Sequence, residues 1–452
     1  MDTTHGRTAL VFAVSKDRRE VLSLLAARGA DLKASTTVID YKARATADTK
    51  ARQTRDKIVS AKTGRNVDSS FDPDPPPPGT VNVGGVSNGR GIPADPGAQA
   101  AVSRAANVGG GGPGDPNEGR RGGGVLRAPS DIDQIGKQGG FTALHYAARD
   151  GFTAAAVALV EAGLDVNTRA AGDGSTPMTV ALINGQYDLA LTLLKHGADP
   201  NLANEDGVTP LFATLNNEWA LRTWYPQPTA GGQQEASYLQ VLETLLTAGA
   251  DPNRRTSSHI WYAAYNTGRM GVDFAGATPF WRAAYALDVD AMRLLTRFGA
   301  DPAIPSMTYG ATKRPDDPSG LQSVPPGGPH VPAFHAASGV GYGTSRVAQQ
   351  HRHVPEGWLP AAKYFVEELG VDVNARDADG FTALHHAAAR GDNETIKYLI
   401  SRGADVMAVN RVGQTTVDMA NSPEQRTQPF PDTIALLEGL GAKNNHNCRA
   451  CK

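Results

Sequence analysis

The chain has 452 residues, a formal net charge of −2 and a hydrophobic content of 40%, which suits a folded protein. So balanced a charge gives no general drive toward nucleic acid or a membrane surface. No apolar run reaches the roughly 18 residues that a transmembrane helix needs. Residues 1–7 are too polar for a signal peptide, which favours a cytoplasmic location. A signal peptide lost upstream of Met1 would instead indicate an exported or periplasmic protein.

The N-terminal residues have the pattern of a short helix pair. Over residues 6–31, apolar positions such as Val21 and Leu25 recur at helical spacing. Gly29 follows and supplies the left-handed turn that ends such a helix. We predict one isolated repeat over residues 1–34.

Repeat-like patterning disappears over residues 35–137. Residues 72–130 are dominated by Pro and Gly and bury too little apolar surface to offset their chain entropy, so they are predicted to be disordered. Residues 38–62 before them are basic and predicted to be helical. A solvated linker helix and a helix that touches nucleic acid or an acidic partner both fit this charge pattern. We favour the linker and expect no nucleic-acid partner.

A repeated phrase begins after the linker. GFTALH occurs at residues 140–145 and again at 380–385, each time followed by an Ala-rich stretch, a Gly and an apolar helix. A Gly-x-Asp turn closes most units, and the glycines are at 163, 197, 249, 299, 370, 403 and 441. A period of roughly 33 residues with this content is typical of a solenoid of stacked units. The array is predicted to span residues 138–443 in about seven units.

The spacing of these glycines is uneven, and the long gaps indicate insertions. They are predicted near residues 219–236, 256–274 and 306–356. Within the last of these, residues 332–339 are the predicted first helix of a stretched unit.

The units resemble the ankyrin repeat. Several keep its Thr-Pro pair, its Leu-His pair or its Asp-x-Asn close, for example Thr176-Pro177, Leu144-His145 and Asp199-Pro200-Asn201. The likeness covers residues 6–31 and nearly all of 138–443. It implies an all-α fold, an ankyrin-repeat α-solenoid of helix–turn–helix units with β-hairpin or turn fingers, interrupted by a disordered linker. It also implies a non-catalytic scaffold that binds a protein partner through its concave face.

Ankyrin geometry places partner contacts around the first Gly of each unit and at the end of its first helix. On this sequence the resemblance therefore implies contacts at Gln138, Phe141, Arg149, Asp150, Asp173, Asn184, Asp206, Phe274, Trp281, Tyr285, Asp379, Phe381 and Arg390. The partner is a protein that the sequence does not identify, and the chain itself is expected to be a monomer.

Histidines and aromatic residues are the other candidates for function. The resemblance gives His145 and His385 a structural role between units. The histidines of the longest insertion (His330, His335, His351 and His353) fit chance loop positions better than metal ligands, since no Cys lies near them. Trp219, Trp224, Trp261 and Trp281 fit a contact hot spot and the packing of insertions equally well.

The C-terminal tail contains the only two cysteines, Cys448 and Cys451, with His446 before them. A Cys-x-x-Cys pair is compatible with a simple disulfide, a shared zinc site, dithiol redox chemistry or haem c attachment. Haem attachment normally needs His after the second Cys, and Lys452 stands there instead. We favour an incidental or disulfide-forming tail and expect no cofactor.

No spacing singles out a Ser/His/Asp, Cys/His or paired-carboxylate arrangement, so we do not predict an enzyme. The alternative to a scaffold is an exported redox-, haem- or metal-associated protein that uses the Cys-x-x-Cys tail.

Overall fold

The structure is a computed structural model, and it describes residues 5–67, 131–220, 229–260, 272–310, 312, 316–342, 352–422 and 428–448. The chain divides into two units, Met1–Ile39 with Gly124–Lys452, and Asp40–Gly123. Within the described ranges, no helix is both long enough and apolar enough to cross a membrane.

The larger unit consists of paired helices and one small sheet. The first helices of the pairs are α1 (Ala9–Val14), α5 (Ala143–Asp150), α7 (Pro177–Ile183), α9 (Pro210–Glu218), α11 (Pro279–Tyr285), α13 (Ala333–Ala336), α15 (Ala383–Arg390) and α17 (Thr416–Ala420). The second helices are α2 (Arg19–Ala27), α6 (Thr153–Glu161), α8 (Tyr187–Lys195), α10 (Tyr238–Thr247), α12 (Val289–Arg297), α14 (Trp358–Lys363), α16 (Asn393–Ser401) and α18 (Pro431–Gly439). A π-helical turn, Tyr364–Glu368, continues α14. A short helix, α4 (Asp131–Ile135), and two strands, β1 (Val38–Asp40) and β2 (Lys137–Gly139), complete the unit.

The helix pairs stack in chain order. Each first helix packs against the first helix of the next pair, from α1 to α17, and the eight pairs of the described residues share one hydrophobic core. The predicted helical repeat solenoid is therefore confirmed. The first helix predicted within residues 332–339 is present as α13, which is only four residues long.

Threonines start the first helices. Thr278 precedes Pro279, and its Oγ1 accepts a hydrogen bond from the Trp281 amide at 3.1 Å. Pro suits the first helical position because no N–H is needed there. The same cap occurs at Thr176 and Thr209. A local Thr-Pro signal therefore fixes where each of these helices begins.

Glycine ends the second helices because of backbone conformation and not because of space. At Gly197 φ is +90°, and a Cβ added there would meet no atom within 4 Å. A residue with a side chain would be strained in this left-handed turn.

Asparagines join consecutive repeats. The Asn201 side chain donates to the Gly249 carbonyl at 2.9 Å and accepts from the Asp251 amide at 2.7 Å. Asn167, Asn253 and Asn374 make the same pair of bonds to the repeat that follows each of them. The equivalent position in the repeat that closes at Gly299 is Ala303, which has no amide. The ladder of asparagines is therefore interrupted there.

The fingers between repeats also form a series, through backbone hydrogen bonds. The Glu205 amide donates to Asp173 O at 2.8 Å, and the Ser257 amide donates to Asp206 O at 2.8 Å. Similar bonds join each later finger to the next, up to the bond from Arg411 to Asp379 O at 3.0 Å.

The first repeat is separate along the chain but not in space. α1 packs against α5, and α2 packs against α6. The Thr36 amide donates to Phe141 O at 3.0 Å, and the Phe141 amide donates to Thr36 Oγ1 at 3.0 Å. The repeat predicted at residues 1–34 is therefore isolated along the sequence but not in space, because it stacks on the next repeat and buries apolar side chains there.

The insertions occur in two kinds of connection between helices. Residues 219–237 and 338–357 join the two helices of one repeat, whereas residues 256–277 and 304–331 join consecutive repeats. The single long insertion predicted at 306–356 is therefore two insertions on either side of α13.

In the smaller unit, the structure describes one helix, α3 (Tyr41–Thr63). Asp40 caps it by accepting from the Ala43 amide at 2.8 Å, and Gly64 ends it with φ +66°. The helix predicted for the basic stretch is therefore present. The disorder predicted for residues 72–130 lies outside the described residues.

Replacing Asn201 with Ala is expected to lower the free energy of unfolding by about 1–2 kcal/mol, because a carbonyl and an amide lose their partners at one junction. Urea unfolding followed by circular dichroism measures this loss. Lys195→Ala, an exposed residue on α8, is the control and should change stability little. An unfolding free energy that stays the same in Asn201→Ala would show that the ladder does not stabilise the stack.

Candidate protein-binding surface

Three consecutive fingers and helix ends hold the residues predicted for partner contact in the N-terminal half of the array. These residues are half-buried or exposed: Gln138, Phe141, Arg149, Asp150, Asp173, Asn184 and Asp206. The Gly172 amide donates to Gly139 O at 3.1 Å, and the bond from Glu205 to Asp173 O continues the series. We call these seven residues the N-terminal contact surface.

The fingers of this surface are acidic. Burial raises the pKa of the Asp206 carboxyl above its usual range, and the neighbouring charges of Asp173 and Glu205 raise it further. Asp206 Oδ1 accepts a hydrogen bond from Ser258 Oγ at 2.7 Å, which acts in the opposite direction. The fingers therefore present closely spaced carboxylates whose positions are fixed by hydrogen bonds.

The helix ends carry a cation and an amide. The Arg149 guanidinium lies 4.7 Å from the centre of the Tyr146 ring and binds both oxygens of Asp150, at 2.7 and 2.9 Å. Asn184, at the end of α7, is exposed, and its side chain donates to Val180 O at 2.8 Å. Both side chains are held in place, so a partner would meet them already ordered.

Phe274, Trp281 and Tyr285 are not available to a partner, and the structure corrects the prediction for these three residues. Each is at most 1% exposed. Their rings contact one another at centroid distances of 5.5–5.7 Å, and Trp281 Nε1 donates to Val331 O at 2.8 Å. They fill the junction between repeats because the His of the Leu-His pair is replaced by Trp281 there.

The predicted contacts of the later repeat are largely covered too. The Arg390 side chain is 5% exposed, lies 3.8 Å from the Trp358 ring centre and binds Asp392 at 2.9 Å. Phe381 is buried, and Asp379 is half-buried with its carboxylate 3.4 Å from His330. The prediction is therefore corrected for Arg390 and Phe381, while Asp379 keeps partial access to solvent.

The end of the insertion before α14, together with the first residue of α14, contributes to the coverage of Arg390. Residues 352–358, which we call the strap, lie against the helix ends of several repeats. The Val354 amide donates to Ala286 O at 2.9 Å, and Arg352 pairs with Glu218 at 3.6 Å. Trp358 ends the strap beneath Arg390. Sequence reasoning missed the strap because its contacts join residues far apart in the chain.

A buried polar network joins the two ends of the other helix-loop insertion, Trp219 and Tyr238. The Arg282 guanidinium donates to Asn216 Oδ1 at 3.1 Å and to Trp219 O at 2.8 Å. Asp288 accepts from Trp219 Nε1 at 3.0 Å and from the Tyr238 hydroxyl at 2.9 Å. Burial raises the pKa of the Asp288 carboxyl. No local pattern in the sequence pointed to this network.

Burial decides between the two interpretations of the tryptophans where the structure describes them. Trp219 and Trp281 pack inside the protein. Trp224 and Trp261 lie outside the described residues.

The repeat histidines are structural, as predicted. His145 Nδ1 accepts from the Thr142 amide at 3.2 Å, and its Nε2 donates to Ser175 O at 3.0 Å. His385 does the same with Thr382 and Gln414. Each imidazole therefore ties the start of a helix to the next finger.

The histidines of the insertions do not form one group. His335 is buried and donates to the carbonyls of Ala375 and Phe381, at 3.0 and 3.1 Å. His330 pairs with Asp379, His353 contacts its own strap, and His351 lies outside the described residues. Among the described residues, no three His, Cys, Asp or Glu side chains are arranged to hold a metal ion.

The C-terminal tail folds back on the last repeat. Asp418 is buried, and its Oδ1 accepts from the amides of Asn445 and Asn447 at 3.2 and 3.1 Å. His446 between them is exposed, and Cys448 is disulfide-bonded. Cys451 lies outside the described residues.

Comparison with known proteins identifies the repeats. Residues 125–218 match the family model "Ankyrin repeats (3 copies)", and residues 350–400 match "Ankyrin repeats (many copies)". These residues are therefore ankyrin repeats, in agreement with their capped helix pairs and asparagine ladder.

Two curated relatives each match about one fifth of the chain. Protein phosphatase 1 regulatory subunit 12A of Rattus norvegicus is 36% identical over 104 residues, which are 21% of this chain and 9% of that protein. Regulatory subunit 27 of the same phosphatase in Mus musculus is 36% identical over 95 residues, which are 21% of this chain and 57% of that protein. The ankyrin repeat domain of human ASB11 aligns with 66% of this chain and 97% of its own, at 18% identity and a TM-score of 0.42.

The buried histidines predict how stability depends on pH. Burial lowers the pKa of His145 and His335 to about 4 and that of His385 and His386 to about 3. A histidine whose pKa is lowered by folding stabilises the fold above its unfolded pKa of about 6.5, and this contribution is lost as the pH falls toward the folded pKa. Asp377, whose pKa burial raises to about 6, acts in the opposite sense, and so do the Asp206 and Asp288 carboxyls, whose pKa values burial also raises.

His386→Leu should therefore reduce the loss of unfolding free energy between about pH 8 and about pH 5 by roughly 2 kcal/mol. Urea unfolding at the two pH values measures the difference. His196→Gln, at an exposed position on the C-terminal side of α8, should leave the pH dependence unchanged. An identical pH dependence in His386→Leu and the wild type would mean that His386 is not a buried neutral group.

Proposed function

We propose that this protein is a non-catalytic scaffold that binds a protein partner through the N-terminal contact surface. The observation that supports this most directly is the difference between the two halves of the array. The predicted contact residues over 138–206 reach solvent, while Trp281, Tyr285 and Arg390 are used for internal packing. A partner that binds in the predicted manner would therefore meet the N-terminal repeats.

The architecture favours binding over catalysis. Fingers joined by backbone bonds and a continuous core form an extended rigid surface, which suits the recognition of another macromolecule. The two relatives are named as regulatory subunits of a phosphatase, which is an assignment to those proteins. Since the chain spans 9% and 57% of their lengths, the partner proposed here is a protein, without a commitment to a phosphatase.

The charges of the surface suggest the chemistry of the partner. Asp173 and Asp206 lie on adjacent fingers, and Arg149 lies at a helix end. We expect basic side chains of the partner to meet the fingers and an acidic group to meet Arg149. Complementary charges of this kind contribute to specificity and to the rate of association.

The test begins with a partner captured from native extract by chemical cross-linking and identified by mass spectrometry. Calorimetry then compares its affinity for the wild type and for the Arg149→Glu/Asn184→Arg variant. We expect the variant to bind at least about tenfold more weakly, since it places two wrong groups in the interface. Lys195→Glu, a charge reversal on the exposed side of α8, should bind like the wild type.

An affinity that is equal in the wild type and the double variant would contradict the proposed surface. If removal of the tail, and not the double substitution, abolishes binding of the partner, the binding site is at the C-terminus.

A second candidate function concerns the tail, and the disulfide at Cys448 favours it. We propose that this disulfide exchanges with a dithiol protein. The partner's thiolate would attack one sulfur, a mixed disulfide would form, and the departing thiolate would take up a proton. The partner's second thiolate would then release an oxidised partner and the reduced tail. Zinc or haem c at Cys448 and Cys451, with His446, would need the reduced cysteines instead.

Thiol titration distinguishes these states. We expect almost no free thiol in the isolated protein and two thiols per chain after reduction, because the chain has two cysteines. A potential near those of cellular dithiols would support exchange. Two free thiols in the protein as isolated, together with bound zinc or a Soret band, would contradict it and favour a cofactor.

A further inference from the structure

Two positions of the repeat are covered wherever another repeat precedes them. The first lies eight residues before the glycine that ends the second helix. Every residue at this position is at most 2% exposed. These residues are Ala155, Leu189, Val241, Ala291, Ala362, Thr395 and Thr433. The second lies four residues after the cap of the first helix. No side chain there is more than 4% exposed in Val180, Ala213, Arg282, Ala336, His386 and Met419, and Tyr146, next to the first repeat, is half-buried. These positions form the stacking interface that runs through the array.

The first repeat exposes both positions. Val21 stands eight residues before Gly29 and is 45% exposed, and Phe12 stands four residues after Thr8 and is 46% exposed. Leu24 is 55% exposed beside them, and Ala27 is exposed on the next turn. We call Phe12, Val21, Leu24 and Ala27 the first-repeat face. It continues the established stacking interface, but no described residue covers it.

The exposed side of α2 is also symmetric in its chemistry. Leu24 is at its centre, Val21 and Ala27 are equidistant from it, and Glu20 and Arg28 are equidistant beyond them. All five side chains are exposed. If two copies of α2 lie antiparallel and cross at Leu24, Val21 of one copy faces Ala27 of the other. Glu20 of each copy then faces Arg28 of the other, so every charge meets its opposite.

We propose that this face binds the same face of a second copy of the chain, across a two-fold axis that passes near Leu24. Such an interface is isologous, which is the commonest form of a soluble dimer. In such a dimer the apolar residues of each copy cover those of the other, and the two Glu20–Arg28 pairs select the antiparallel orientation. Another repeat or an unrelated apolar helix could cover the same residues. Binding of either one would not require the residues of α2 to be self-complementary about Leu24, whereas binding of a second copy does.

The two charges also suit the dipole of α2 itself, since Glu20 is in its first turn and Arg28 follows its last residue. The experiment must therefore separate an effect within the helix from one between copies. Glu20→Arg and Arg28→Glu, made singly in the full chain, do this because each places like charges opposite each other in a dimer of identical chains.

Sedimentation velocity over micromolar concentrations measures association. We expect a wild-type dimer, and dissociation constants at least about tenfold higher for either single variant. An equimolar mixture of the two variants should form a heterodimer with near wild-type affinity, because both contacts between positions 20 and 28 then again join an arginine to a glutamate. Glu394→Arg, at the position on α16 equivalent to Glu20, should dimerise like the wild type.

Several outcomes would overturn the proposal. The proposal is wrong if the wild type is a monomer at all concentrations. It is also wrong if the wild type forms a dimer that neither variant weakens. Single variants that stay monomeric after mixing would assign the charges to the helix dipole alone. Circular dichroism of each variant confirms that it is folded, and Leu24→Glu, expected to be a monomer with intact helices, tests the apolar centre without changing Glu20 or Arg28.

Discussion

The structure depends on the stacking of helix pairs that cannot bury their apolar sides alone. Residues such as Leu159, Leu193 and Leu399 are at most 1% exposed and belong to one core that all eight pairs share. The asparagine ladder and the finger bonds then set the register of each repeat on the next. The fingers, the helix ends and the end faces of the array are what this stacking leaves for contact with other molecules.

The stack is not uniform, and its irregular part lies between α12 and α15. Ala303 interrupts the asparagine ladder at this point, and insertions follow on both sides of α13. The strap makes contacts across the same region through Val354 and Trp358. The loss of one kind of junction is thus accompanied by the gain of another, and the side chains that form the new contacts are no longer available to a partner.

Both proposed interactions therefore involve the N-terminal repeats, but they use different parts of them. The N-terminal contact surface consists of fingers and helix ends, whereas the first-repeat face is the exposed end of the stacking interface. A rigid array allows the two to be tested separately, since a substitution on one edge of a repeat leaves the opposite contacts unchanged. The tail is attached to the last repeat by Asp418 and is a third, independent element.

The sequence by itself determined the repeat, because each of its signals acts within a few residues. Thr278 caps its own helix, Gly197 supplies its own turn, and His145 reaches the adjacent finger, so the period, the helix pairs and the family could all be predicted. Only the tertiary structure decided which predicted contact residues are accessible. Trp281 and Arg390 are covered by Val331, at the end of one insertion, and by Trp358, directly after another. The place where an insertion packs depends on long-range contacts that have no period in the sequence.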